Sequence, residues 1–180
     1  MAKTTIEEIT IQNPIGNLYR KKHVLIFIED INGNLILGSK KDFYPANIDR
    51  MLGGGMEEGE EPITAAKREI EEETALNIPI DFYSLLGSVK TKAHTSEGSM
   101  EMETWICHLK FSESMNICPS DDISDIKVYT PDQYRTLIER MRNLSGEFKT
   151  EKFSFLWLDW GKIYAPIHQA AILWAKSKKK

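Results

Sequence analysis

Four glutamates and one arginine follow a glycine run at telling intervals: Gly53, Gly54 and Gly55, then Glu60, then Arg68, Glu69, Glu72 and Glu73. At about 100° per residue, a helix projects Glu69, Glu72 and Glu73 into a sector of about 100°. That sector lies beside an apolar stripe of Ile63, Ala66 and Ile70. Carboxylates brought this close repel one another and raise each other's pKa, and a cation relieves the repulsion. Oxygen donors alone suit a hard ion, Mg²⁺ or Mn²⁺, over Zn²⁺. Arg68 can reach back to Glu60 and orient the cluster through a two-pronged hydrogen bond. The glycines allow a close backbone approach, so that a carbonyl adds one more oxygen donor. A solvated acidic helix face would carry the same glutamates. The three of them alone therefore leave both readings open.

Elements must hold these residues in place. Pro62 to Thr74 reads as the helix, with proline in the first turn, where no amide donor is missed. Upstream, His23 to Glu29 has the pattern of a buried strand; Ile31-Asn32-Gly33-Asn34 supplies a turn and Leu35 to Gly38 an antiparallel return. Downstream, Phe82 to Ala93 and Met100 to Phe111 read as two longer strands separated by a loop, His94 to Ser99. Ile126 to Tyr129 is a short strand. Thr130-Pro131-Asp132-Gln133 then forms a capping box opening a helix to about Arg142. An aromatic segment, Phe153 to Trp160, precedes a last helical stripe of Ile163, Ile167, Ala170, Ala171 and Trp174. Strands interspersed with helices predict an α/β sandwich.

The run Gly54-x5-Glu60-x7-Arg68-Glu69-Ile70-x-Glu72-Glu73-x-Ala75-Leu76 resembles the Nudix box, G-x5-E-x7-R-E-U-x-E-E-x-G-U with U aliphatic. Eight of its nine specified positions agree over 23 residues. The departure is Ala75, which stands where the family usually has glycine, and it predicts an altered helix exit rather than lost chemistry. The resemblance implies a Nudix-like α/β/α sandwich with a mixed sheet over residues 20–142, with an additional C-terminal helix. It implies a hydrolase that cuts the pyrophosphate of a nucleoside diphosphate linked to a moiety X, using Mg²⁺ or Mn²⁺. By the family's pattern Glu69, Glu72 and Glu73 hold the metal with the Gly53 carbonyl, and water is the nucleophile. The general base is open between Glu69 and a loop acid: Glu97, Asp121 or Asp122. Glu97 is favoured because Gly98 beside it would let a loop close. An isopentenyl-diphosphate isomerase-like enzyme or a non-catalytic nucleotide-binding module is the alternative. The isomerase branch uses a cysteine upstream of the box, whereas Cys107 and Cys118 both lie downstream.

At 180 residues the chain predicts one domain: an N-terminal strand region (1–20), a core (20–142) and a C-terminal aromatic segment and helix (150–177). A net charge of −4 lacks the basic surplus of a nucleic-acid binder. The longest aliphatic or aromatic run, Val24 to Ile28, is far below a membrane span. Two cysteines without zinc spacing predict reduced thiols in the cytoplasm. His23, His94, His108 and His168 show no ligand spacing. The stripe of Phe153, Phe155, Trp157 and Trp160 reads as core or homodimer contact before a base-stacking surface. Thr91 to His94 carry no proline or tyrosine of the kind that marks ADP-ribose or dinucleoside polyphosphate hydrolases, so X is not legible.

Overall fold

Every residue from His23 to Glu29 is buried, which a strand achieves only between two covered faces. The structure is a computed structural model describing residues 2–12, 21–40, 43, 45, 48–111, 113, 116–151 and 154–178. The chain runs β1 (Lys3–Thr10), β2 (Lys22–Glu29), β3 (Leu35–Lys40), α1 (Pro62–Thr74), β4 (Tyr83–Thr95), β5 (Gly98–Lys110), β6 (Ile123–Tyr129), α2 (Pro131–Arg142), β7 (Glu147–Lys149), β8 (Ser154–Leu156) and α3 (Trp157–Lys178), with a 3₁₀ turn at Ile80–Phe82. The main sheet has the order β1-β4-β5-β2-β3-β6, and β7 and β8 form a separate hairpin. It is mixed: β1 runs parallel to β4 and β2 parallel to β5, while the other pairs are antiparallel.

The alternation along β2 divides the interior. Val24, Ile26 and Ile28 join Ala65, Ala66 and Ile70 of α1 in one core. Leu25 and Phe27 point the other way, to Tyr134, Leu137 and Ile138 of α2 and Trp160, Ile163 and Ile167 of α3. The result is the expected α/β/α sandwich, with α1 on one face and α2 and α3 on the other. Ile70 is 1% exposed, so its truncation to alanine would cost about 2–5 kcal/mol. Between the two helices of the second layer, Tyr134 and His168, both fully buried, share a hydrogen bond of 2.7 Å. Burial pushes the His168 imidazole down to about 3, so it stays neutral.

Local signals set several boundaries. The α1 limits match the stripe, and α2 starts at the capping box, with Gln133 N donating to Thr130 Oγ1 and Thr130 N to Gln133 Oε1. The expected loop from His94 to Ser99 is instead mostly ladder. His94 pairs with Ser99 and Thr95 with Gly98, leaving Ser96 and Glu97 as a two-residue turn. The Glu97 amide donates to Thr95 Oγ1, and Gly98 takes a φ of +136°. The strand expected from Ile126 begins at Ile123. Phe155 belongs to β8, and the last helix already begins at Trp157. Phe153 lies outside the described residues. The helix exit at Ala75 is a left-handed cap (φ 57°, ψ 17°), its amide donating to the Glu71 carbonyl at 2.9 Å. Alanine thus occupies the conformation that glycine favours, at a steric cost of about 1–2 kcal/mol.

Candidate active site

Strands β2 and β3 pair only at Ile28–Ile36 and Glu29–Leu35. Beyond that they part, and residues 50–56 lie between them in extended form. The Val24 amide donates to the Gly54 carbonyl (2.9 Å), Ile26 to Leu52 (2.9 Å), Gly38 to Arg50 (2.9 Å), and Met56 to Lys22 (3.2 Å). Two glycines make this fit possible. Gly53 has a φ of +126°, and a Cβ there would sit 2.3 Å from the Val24 carbonyl oxygen. A Cβ on Gly54 would sit 2.5 Å from Glu69 Oε2. The glycine run is therefore the seat on which the α1 carboxylates rest.

Two of those carboxylates, Glu69 and Glu73, reach this seat from α1. The Gly53 amide donates to Glu73 Oε2 at 2.7 Å, and Glu73 is only 3% exposed. Burial pushes its carboxyl up to about 7, despite the Arg50 and Lys40 charges and the Gly53 amide, which pull the other way. Arg68 holds the rest together. Its Nε and Nη2 donate to the two Glu60 oxygens at 3.0 Å each, Nη1 to Glu69 Oε1 at 2.8 Å and Glu72 Oε2 at 3.2 Å, and Nη2 also to the Gly55 carbonyl at 2.9 Å. These bonds hold Glu60 below the usual carboxylate range and raise Arg68 above its own. The Gly53 carbonyl accepts from Arg50 Nη2 at 2.9 Å. Among the described residues no three His, Cys, Asp or Glu side chains are already gathered as a metal-binding group. Glu69 and Glu72 converge on the Arg68 guanidinium instead, and Glu73 on the Gly53 amide. The donor set itself is all oxygen and strongly anionic, which suits a hard divalent ion.

A cavity of about 1120 Å³ opens over this seat. Glu69, Glu72, Glu73, Gly53 and Arg68 all line it. Glu97 does not: the structure sets it in the exposed turn at the tip of the β4–β5 hairpin, outside the lining. Asp121 and Asp122 do line it. Their loop is tied to α1 by the Ser120 amide, which donates to the Glu73 carbonyl at 2.8 Å, and Asp121 sits at a φ of 50°. Asp122 pairs with Lys40. Sequence reasoning missed Lys21, Lys22, Lys40, Arg50, Phe43 and Tyr164, which line the same cavity. None belongs to a spaced motif. Trp160, expected as core or homodimer contact, is core and also lines the cavity.

The profile of the NUDIX domain matches residues 19–151, most of the chain. The chain belongs to the Nudix family. With eight of nine box positions present, it stands among the Nudix-type pyrophosphohydrolases. Solved Nudix structures share its fold. The Escherichia coli dihydroneopterin triphosphate pyrophosphohydrolase is 16% identical, with a TM-score of 0.51, over 67% of this chain and 85% of that one. A MutT/nudix family protein from Enterococcus faecalis is 17% identical, with a TM-score of 0.52, over 66% of this chain and 47% of that one. The NUDIX domain of Shewanella oneidensis NrtR, solved with ADP ribose, is 15% identical, with a TM-score of 0.51, over 66% of this chain and 77% of that one. Among curated proteins none matches the Nudix chain in sequence. No helix among the described residues is long and apolar enough to cross a membrane.

Proposed function

We propose that this Nudix hydrolase cuts the pyrophosphate bridge of a nucleoside diphosphate linked to a moiety X, with Mg²⁺ or Mn²⁺. One observation carries the reading: Glu69, Glu72, Glu73 and Gly53 line one cavity, with Glu69 and Glu72 braced by Arg68. These four groups would hold the ion. When bound, it supplies charge neutralisation on the phosphate oxygens and lowers the pKa of water.

The residues of the chain do the remainder. Arg68 is a positioning residue: by gripping Glu60 in two places it fixes the loop that carries the glycines, and it aims Glu69 and Glu72 together. Lys40, 3.9 Å from Glu73 Oε1, adds a positive charge at the wall where phosphate charge must be met. The attacking water must give up a proton, and a carboxylate committed to an ion is a weak base. Asp121, a cavity acid held on a loop fixed to α1, takes that role in our reading, with Glu69 as the competing acceptor. Cys107 and Cys118, not joined in a disulfide, suit a reducing compartment such as the cytoplasm.

The test is a panel of nucleotides, dinucleotides and nucleotide sugars incubated with the protein, with products weighed by mass spectrometry. Two phosphorylated fragments should form with Mg²⁺ or Mn²⁺ and none in EDTA. Release of orthophosphate from monoesters alone would overturn the reading.

A further inference from the structure

Protein cations stand at the oxygens beneath the cavity. Arg68 holds Glu69 Oε1 at 2.8 Å and Glu72 Oε2 at 3.2 Å, Lys40 lies 3.9 Å from Glu73 Oε1, and Arg50 Nη2 donates to the Gly53 carbonyl at 2.9 Å. The two arginines differ in what fixes them. Arg68 is pinned at its head, by both Glu60 oxygens. Arg50 is pinned at its backbone: its amide donates to the Gly38 carbonyl at 3.1 Å, and its carbonyl accepts from the Gly38 amide at 2.9 Å. Asp49, just before it, is 1% exposed and accepts from Ser39, Lys127 and Tyr129. The half-buried Arg50 side chain therefore turns on a fixed stem. Beside it is a second seat, the Tyr164 ring, whose centre lies 5.7 Å from the guanidinium carbon. Tyr164 cannot follow a moving guanidinium, because it is buried and stacked on Trp160 with centroids 4.6 Å apart.

We infer that Arg50 is a stand-in cation: it holds the Gly53 carbonyl until a divalent ion takes that oxygen, and the displaced guanidinium then turns into the cavity along the face of Tyr164. This rests on the metal-dependent reading above, in which that carbonyl helps to hold the ion. A carbonyl oxygen has two lone pairs, but a guanidinium and a divalent ion on one oxygen repel each other, and a half-buried wall screens that repulsion poorly. Arg50 acts on a second donor of the same set, since its charge also favours the Glu73 carboxylate. Exchanging one cation for the other keeps these oxygens paired throughout, so the seat on residues 50–56 holds its shape as ions come and go. Two consequences follow for the enzyme. Arg50 sets how much divalent ion is needed to load the site, and loading turns a guanidinium toward the space where phosphate charge is met.

Two measurements on the full chain test this. The first is calorimetric titration of Mn²⁺ into the parent, R50M and K40M. Methionine keeps a flexible stem at position 50 without the charge or the donors. R50M should bind Mn²⁺ at least about tenfold more tightly, the worth of one hydrogen bond from a charged donor. K40M removes a charge near Glu73 but no bond to Gly53, and it should gain less than about threefold. An affinity unchanged or weakened in R50M, or an equal gain in K40M, overturns the inference. The second is a crystal structure of the parent with Mn²⁺, which depends on no variant folding. Arg50 Nη2 should stand beyond about 3.5 Å from the Gly53 oxygen, with the ion on that oxygen. An ion at the glutamates with the Arg50 bond kept overturns the inference and leaves the metal-dependent reading in place. A parent that binds no Mn²⁺ in either experiment overturns that reading and the inference with it.

Discussion

Replacing Glu73 with glutamine should make the metal-free protein more stable at pH 8 while crippling the enzyme. Glutamine has the shape of a protonated glutamate, and its Oε1 can still accept from the Gly53 amide at 2.7 Å. What it removes is a charge that the folded chain resists forming. The Glu73 carboxyl is raised from 4.5 to about 7, mainly by burial. The folded state therefore holds this proton more tightly than the unfolded state, and stability is lost as pH climbs from about 4.5 through about 7, then levels off. At about 1.4 kcal/mol per pKa unit, the cost above pH 7 is at most about 3 kcal/mol. For a chain of this size that corresponds to roughly 6–12 °C in Tm. The assay is thermal denaturation of parent and E73Q in EDTA at pH 4.5 and pH 8, the difference between them cancelling all other titrations. The two should melt together at pH 4.5, and the variant should melt higher at pH 8. With excess Mg²⁺ the gap should close or invert, since the ion stabilises the parent by about 2.7 kcal/mol at a hundred times its Kd. A variant that melts below the parent at pH 8 in EDTA, or a gap equal at both pH values, would refute the reasoning.

Ala75→Gly should stabilise the chain by about 1 kcal/mol, because glycine takes a φ of 57° without strain; a lower urea midpoint would count against the cap. Gly54→Ala forces Glu69 aside, since the new Cβ would lie 2.5 Å from its carboxylate, so Mn²⁺ affinity by titration should fall at least about tenfold while the fold survives. E97Q should keep the parental pH–rate profile and D121N should lose its acidic limb with a reduced kcat; the opposite result would return the base to the hairpin tip. His168, held near 3 by burial, should show no imidazole titration by NMR between pH 5 and 8, and its contribution to stability should be lost as pH falls below about 6.5, where the unfolded state takes up a proton that the folded one refuses.

What the sequence made legible was whatever depends on neighbours along the chain. The α1 boundaries, the Thr130 capping box and the doubly buried β2 follow from residues within a few positions of one another. The grip of Arg68 on Glu60 was readable for the same reason, as an eight-residue reach. Contacts made across the sheet were not. The parallel pairing of β1 with β4 joins Lys3 to Gly87, and no pattern in residues 3–10 announces it. The correction to the loop around Glu97 has the same origin: the polar composition of residues 94–99 suits a loop, but the ladder between His94 and Ser99 is decided by pairing between strands. Lys40, Arg50 and Tyr164 carry no spacing signal, because each reaches the cavity from a different element. Trp160 shows how far burial alone misleads, since a residue can finish a core and floor a cavity at once.

The two faces of β2 also bear on how such a protein changes over generations. Glu69 and Glu73 ride on a helix whose core partners are Val24, Ile26 and Ile28, whereas Trp160 and Tyr164 ride on one that packs against Leu25 and Phe27. Mutations in the two layers share few contacts, so their effects on stability should add rather than compound. A lineage can then redraw the aromatic end of the cavity by substitution in α3 while the carboxylate wall keeps its footing, and drift in what is recognised need not cost what is catalysed.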